Sequence, residues 1–143
     1  MVTLEFDIFI AAAPDKVWEN LWRESSYKAW TSVFSQGSYY KTDALKAGNR
    51  IHFLTPSGEG MYSTIETVEP PRLMVFRHLG EIKDFEEQAP ADGFWNSEES
   101  YHLEPNKNGT RLKVKVETLE EYVDPMKKMF PEALEELKKI TEA

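Results

Sequence analysis

Two charged residues with strand spacing are the strongest candidates for chemistry in this sequence. Arg77 shares strand parity with the apolar residues Leu73 and Val75. Glu99 shares the parity of the apolar residues on its own predicted strand, which are Trp95, Tyr101 and Leu103. A buried guanidinium and a buried carboxylate each need a partner. We therefore expect both to face the interior, as an anchor for a ligand or as an acid–base pair with pKa values shifted by burial.

The opposite orientation of this pair stays open. Glu98 and Ser100 hold the alternate parity on the same predicted strand. A register error of one residue exchanges the two faces of a strand. The second interpretation is therefore an ion pair on the outer surface of the sheet.

Other catalytic and metal-binding patterns are missing from the sequence. His52, His78 and His102 lie on three different predicted strands, so we do not expect a zinc site. The absence of cysteine excludes disulfides, thiolate metal sites and a cysteine nucleophile. Neither a Gly-x-Ser-x-Gly elbow nor a Walker loop occurs, and 106–109 is a hairpin turn. We expect no catalytic set, no metal and no cofactor.

Aromatic and methionine side chains form a second candidate constellation. They can make an adaptable apolar lining, in which tyrosine and tryptophan add a polar tip. Ordinary core packing is the competing explanation for the same residues. Together with Arg77 and Glu99, the residues expected to bind a ligand are Trp30, Phe34, Phe53, Tyr62, Trp95, Tyr101, Met126, Met129 and Phe130.

The elements that position these residues follow from periodicity and turn signals. Residues 2–10 alternate as a strand, and Pro14 suits the first position of a helix over 14–22. An apolar stripe that keeps its phase across Pro131 predicts one bent helix over 125–141. The acidic stretch 81–93 is expected to be a solvated hairpin extension or a flap over a cavity. The remaining predicted elements are a helix over 25–30 and strands over 37–43, 49–55, 60–69, 72–80, 94–104 and 110–120.

Composition narrows the function classes. The chain has 143 residues, a net charge of −8 and a pI near 5.0. We expect one domain over 1–143, and neither nucleic acid nor an anionic membrane as a partner, because both reward clustered Lys and Arg. No apolar run approaches the roughly 18 residues of a membrane span, and the first residues do not resemble a signal peptide. A cytoplasmic location is the resulting expectation, and a homodimer stays open.

Five motifs in order carry a resemblance that covers nearly the whole chain. They are Ala13–Leu21, Tyr27–Trp30, Val68–Leu73, Gly109–Leu112 and Phe130–Leu137. The sequence resembles the START-like, helix-grip superfamily of the birch pollen allergen and polyketide cyclases. More narrowly, it is similar to bacterial homologues of the activator of the heat-shock chaperone ATPase. The resemblance implies an α+β fold with a seven-stranded curved antiparallel sheet around a long C-terminal helix. Two short helices would lie between the first two strands.

Three functions are compatible with this sequence. The leading one is non-enzymatic binding of a small apolar, aromatic or lipid-like molecule between the sheet and the C-terminal helix. The second is a cyclase- or hydrolase-like enzyme that uses Glu99 and Arg77. The third, implied by the resemblance, is a co-chaperone-like regulator of a heat-shock ATPase, with that chaperone as its partner. Because this superfamily shares its architecture far more than its activity, the fold alone does not choose among them.

Overall fold

The computed structural model describes residues 1–90 and 96–143. Its elements follow the predicted order of a strand, two short helices, further strands and a final helix. In chain order they are β1 (Val2–Ile10), α1 (Pro14–Trp22), α2 (Glu24–Thr31), β2 (Tyr39–Thr42), β3 (Arg50–Leu54), β4 (Gly60–Glu69), β5 (Leu73–Lys83), β6 (Glu86–Glu87), β7 (Ser97–Asn106), β8 (Gly109–Thr118), a 3₁₀ turn (Glu120–Tyr122) and α3 (Val123–Glu142).

One antiparallel sheet contains all the described strands. Its order is β1-β8-β7-β5-β4-β3-β2, and β6 pairs with the end of β5. The predicted α+β helix-grip fold is confirmed, with seven strands on the main path and the two-residue β6 as an eighth. No helix in the described parts of the chain is long and apolar enough to cross a membrane.

The predicted loop over 81–93 is partly a hairpin. Ile82 is 1% exposed and extends β5 to Lys83, where the chain turns back into β6. The charged residues of this stretch hide a strand signal, because they occupy the exposed positions around one buried isoleucine. Residues 91–93, and with them the remainder of the predicted flap, lie outside the described residues.

The C-terminal helix α3 runs without interruption through Pro131, as its apolar stripe predicts. It begins at Val123, two residues before the predicted start, because the 3₁₀ turn leads directly into it. Its buried stripe includes Phe130, which stacks on Phe6 of β1 with ring centroids 4.8 Å apart. The other buried residues of the helix are Ala133, Leu134, Leu137 and Thr141.

The last turns of α3 are tied to the end of β1 and to the residue that follows it. The Lys138 ammonium donates to the Phe9 carbonyl at 2.7 Å. The Glu142 carboxylate accepts from the Ala11 backbone N–H at 2.7 Å and from Lys138 at 2.8 Å. These charge-assisted bonds fix the C-terminal end of the helix, while its N-terminal half lies against the cavity described next.

Candidate ligand-binding cavity

A cavity of about 690 Å³ lies between the sheet, α2 and the N-terminal half of α3. This volume falls in the range typical of small-molecule sites. Its walls are largely aromatic and apolar, with few polar groups. The described lining residues are Trp22, Tyr27, Trp30, Thr31, Phe34, Ser38, Tyr39, Phe53, Leu54, Thr55, Gly60, Met61, Phe76, Glu81, Glu99, Tyr101, Thr118, Leu119, Tyr122, Pro125, Met126, Met129 and Phe130.

Most of the residues expected at a ligand site border this cavity. They are Trp30, Phe34, Phe53, Glu99, Tyr101, Met126, Met129 and Phe130. Tyr62 and Arg77 are not among the lining residues, and Trp95 lies outside the described part of the chain. The described lining residues come from six strands, three α-helices and the 3₁₀ turn, which are distant in sequence.

The expectation that Arg77 faces the interior is wrong. The inward positions of β5 are Met74, Phe76 and His78, each at most 1% exposed. Arg77 lies on the outer face, where its guanidinium donates to Glu66 at 2.5 Å and lies 3.4 Å from Glu98. The hydrogen bond to Glu66 raises the pKa of Arg77. Arg77 is thus a surface ion-pair residue, and the interpretation with the outward orientation is the correct one for it.

Tyr62 also lies outside the cavity, because on β4 it has the opposite parity to Met61, which lines the cavity, and to the buried Ser63. Tyr62 pairs with Gly80 and Ser63 pairs with His78, so Leu79 has no partner on β4. A bulged residue disrupts the alternation of its strand. Beyond Leu79 the odd-numbered Glu81 lies at the cavity, whereas Gly80 lies on the outer side under the Tyr62 ring. Tyr62 packs there in a small apolar cluster and donates to the Gln88 carbonyl at 2.6 Å.

Glu99 is the one acidic side chain set into the cavity wall with its own hydrogen-bond network. One carboxylate oxygen lies 2.9 Å from His78 Nε2, and the other accepts from the Tyr101 hydroxyl. Behind it, His78 Nδ1 lies 2.6 Å from Ser63 Oγ. The side chain of Glu99 is 16% exposed, whereas that of His78 is 2% exposed. The carboxylate therefore faces the cavity, and the imidazole lies behind it.

This network holds Glu99 in its charged form. Burial by itself would raise the pKa of Glu99, but the hydrogen bond and charge of His78, with the Tyr101 hydroxyl, bring the pKa below its ordinary value. Burial and the nearby Glu99 charge raise the pKa of Tyr101 and of Tyr27. At neutral pH the site thus contains a carboxylate beside two protonated phenols.

Ser63, His78 and Glu99 are hydrogen-bonded in a row and have the residue types of a hydrolytic triad. The serine, however, does not reach the cavity. Ser63 is fully buried and does not line the cavity. A nucleophile must reach the reacting atom of its substrate. The serine hydroxyl therefore supports the imidazole, which in turn supports the Glu99 carboxylate.

Two further polar groups at the cavity have no partner among the described residues. They are the Trp22 indole N–H and the Thr118 hydroxyl, both of which belong to buried side chains. Buried polar groups normally find a hydrogen bond. The two atoms are themselves buried, so their hydrogen-bonding capacity is unused among the described residues. Within residues 1–90 and 96–143, no group of three or more His, Asp or Glu side chains could hold a metal ion.

Sequence reasoning missed several lining residues. Trp22 and Tyr27 lie on α1 and α2, and Phe76 lies on β5 beside the misassigned Arg77. The two helical residues could have been found from the sequence, since Trp22 belongs to the apolar stripe of α1 and Tyr27 belongs to one of the five motifs. The position of Glu81 was not predictable from alternation, because it depends on the bulge at Leu79 of the same strand.

The fold and cavity define a helix-grip protein with an internal pocket, and comparison with known proteins agrees. The sequence profile of the family described as "Activator of Hsp90 ATPase homolog 1-like protein" matches residues 11–142. The chain belongs to this family. No curated protein matches this sequence.

Solved structures share the fold at low sequence identity. The solution structure of the Aha1 dimer from Colwellia psychrerythraea matches with a TM-score of 0.75 and 19% identity, covering 99% of this chain and 97% of that one. Protein MLL2253 from Mesorhizobium loti matches with a TM-score of 0.74 and 18% identity, covering 97% of this chain and 96% of that one. CalU16 from Micromonospora echinospora matches with a TM-score of 0.70 and 19% identity, covering 97% of this chain and 75% of that one. At these identities the likeness concerns architecture.

Proposed function

We propose that this protein binds a small apolar molecule, aromatic or lipid-like, in the cavity between its sheet and α3, and does not transform it. The observation that carries the proposal is an aromatic cavity of about 690 Å³ with a single supported carboxylate in its wall. Apolar area supplies most of the affinity in such sites, and a few polar groups set the orientation. Glu99 and the Tyr101 hydroxyl are the groups we assign to orientation.

The enzyme alternative requires Glu99 and Arg77 together, and only Glu99 lies at the cavity. Arg77, proposed as the partner of Glu99, lies on the outer face. Glu99 is held ionised, so it is poorly suited to donate a proton near neutral pH. General-base chemistry by Glu99 would require a second group converging on the same point of the ligand. Product analysis during the binding screen tests this alternative directly.

The regulator alternative rests on the family to which the chain belongs. It requires an exposed surface that complements a chaperone, and the acidic character of this chain would favour a basic partner region. Homodimerisation is supported by one neighbour, whose structure is that of a dimer. Sedimentation of the purified chain measures the assembly state, and an ATPase assay with a heat-shock chaperone measures regulation.

Filling the cavity from α3 should weaken ligand binding. Met129 lines the cavity, and Met129→Trp adds volume there, whereas Lys128→Trp adds the same side chain at the neighbouring exposed position. We expect Met129→Trp to weaken binding of flavonoid-like, polyketide-like or fatty-acyl probes by roughly tenfold or more, because the ligand and the new ring need the same space. Lys128→Trp should bind as the parent protein does.

The measurement is a two-dimensional NMR titration that follows the indole N–H signals of Trp22 and Trp30, both cavity residues. Thermal unfolding of both variants shows whether each remains folded. Shift changes confined to the outer faces of the strands, equal binding by both variants, or turnover of a probe would contradict the proposal.

A further inference from the structure

We infer that the cavity selects apolar molecules that carry a positive charge, such as an aromatic or lipid-like amine, and that Glu99 is the group that recognises this charge. The inference rests on the proposed function, because it concerns the ligand class of the same cavity. It goes further by assigning the sign of the ligand's charge and by excluding fatty acids and other carboxylates as preferred ligands.

The first observation is the charge of the cavity wall. Its described lining residues include two carboxylates, Glu81 and Glu99, and no Lys, Arg or His. The five residues outside the described part, 91–95, contain no basic residue by sequence. Glu81 is half-exposed and lies 3.5 Å from the Lys83 ammonium, so solvent and this neighbour weaken its field. Glu99 is thus the dominant charge that a ligand meets inside.

The second observation is the direction in which Glu99 presents its charge. His78 approaches from the protein side and does not line the cavity. The negative end of the His78–Glu99 pair therefore faces the ligand, whichever protonation state the imidazole adopts. Each carboxylate oxygen accepts more than one hydrogen bond, and the described network uses one on each. Acceptor capacity remains for an ammonium or another donor.

The third observation is the aromatic surround of this carboxylate. Phe76 is the cross-strand neighbour of Glu99, and Tyr101 is its hydrogen-bond partner. The Trp22 ring meets Tyr101 edge to face at 5.1 Å between centroids, and all three aromatic residues line the cavity. Aromatic faces attract cations, most strongly where water is excluded. An apolar amine finds here both its counter-charge and its apolar surface, whereas a carboxylate would meet a like charge with no cation nearby.

Three probes of one shape test the inference. They are 1-naphthylmethylamine, 1-naphthalenemethanol and 1-naphthoic acid, which are positive, neutral and negative near neutral pH and share one apolar ring system. Titration calorimetry should show the amine binding roughly tenfold or more tighter than the alcohol, and the acid binding weakest, because a charged hydrogen bond in a buried site exceeds a neutral one. The affinity of the neutral alcohol measures binding by the apolar cavity without a contribution from ligand charge.

Two matched variants assign the preference to one residue. Glu99→Gln removes the inward charge, and Glu98→Gln removes the charge of the adjacent residue, which faces Arg77 on the outer side. We expect Glu99→Gln to bring the ratio of amine to alcohol affinity close to one, and Glu98→Gln to leave that ratio unchanged. The wild-type preference should persist at about 0.5 M salt, since buried charges are screened little, whereas attraction to the net charge of the surface would disappear.

The outcomes separate the two proposals. An amine that binds no tighter than the acid, while the alcohol binds, would overturn the charge inference and leave the proposed function standing. Loss of the preference in Glu98→Gln, or at high salt, would overturn it as well. Failure of all three probes to bind at about 1 mM, an affinity weaker than about −4 kcal/mol, would count against the proposed function and the inference together.

Discussion

Glu99 combines two roles at the scale of a single residue. Its carboxylate faces the cavity, and its charge is stabilised from behind by a buried His78 and from the side by Tyr101. Removing a buried group that holds several hydrogen bonds affects stability as well as binding. The acid dependence of unfolding should therefore report on this residue.

We predict that the stability difference between the parent protein and Glu99→Gln is larger at about pH 6 than at about pH 3. The folded-state pKa of Glu99 is lowered, so its charge stabilises the fold above the ordinary glutamate value of 4.5. That contribution disappears as the pH falls through the lowered folded-state pKa, where the parent residue becomes neutral like glutamine. Urea unfolding at both pH values measures the difference.

Glu98→Gln is the control for this comparison, because Glu98 is an outer-face residue of the same strand. Its stability difference should vary less with pH, since an exposed ion pair contributes little. If the stability difference between the parent protein and Glu99→Gln stays constant or increases on acidification, the carboxylate is not stabilised in the folded protein.

How far the sequence predicts such residues depends on the pattern around them. Glu99 alternates clearly with its apolar neighbours, so its parity could be read. Arg77 follows four consecutive apolar residues, 73–76, in which either parity is equally apolar. Alternation carries no information in such a run, and only packing decides the face. His78 has the opposite parity to Arg77, and it is the buried one of the two.

At the scale of elements, α3 and β5 contrast in how well they can be predicted. The stripe of α3 is long and periodic, so both its continuity through Pro131 and its buried face follow from the sequence. On β5 the bulged Leu79 alters which residues meet the cavity, and the adjacent Gly80 is its local sign in the sequence, which does not show how the pairing shifts. The bulge is a property of pairing with β4, so it exists only once the sheet has formed.

The buried face of α3 should carry much of the stability of the fold. Leu134 is 2% exposed at the middle of the helix, and its neighbour Glu135 is exposed. We predict that Leu134→Ala lowers the free energy of unfolding by about 2–5 kcal/mol through lost burial and the cavity left behind. Chemical denaturation at neutral pH measures this loss.

Glu135→Ala is the matched change on the solvent side of the helix, and it should alter stability by about 0.5 kcal/mol or less. A loss below about 1 kcal/mol for Leu134→Ala would mean that the helix does not pack as the structure shows.

At the scale of the whole molecule, the chain is a container whose walls come from distant parts of the sequence. The order of elements and the five motifs sufficed to predict this architecture, because they extend over nearly the whole chain. The residues that line the cavity were less predictable, since the lining depends on helix placement and on one bulge. Family membership agrees with the architecture and leaves the ligand open.

A bound ligand should stabilise the entire fold. We predict that a probe at one hundred times its Kd raises the free energy of unfolding by about 2.7 kcal/mol, because it binds only the folded state. Scanning calorimetry with increasing probe concentration should show a rising Tm for the parent protein. Met129→Trp should show a smaller rise at the same probe concentrations, and a Tm of the parent protein that does not respond to a probe known to bind would contradict one cavity formed by the whole fold.

The attachment of α3 has a consequence for the rate at which a ligand comes and goes. Its last turns are held by Lys138 and Glu142, whereas its first two turns carry Met126 and Met129 in the cavity wall and follow the half-exposed Tyr122. Because Lys138 and Glu142 fix the far end of α3, a displacement of its first turns would change the cavity wall without detaching the helix from β1. The rate at which a ligand leaves would then depend on how tightly these turns pack, and a change in that packing would alter the residence time without any new contact to the ligand.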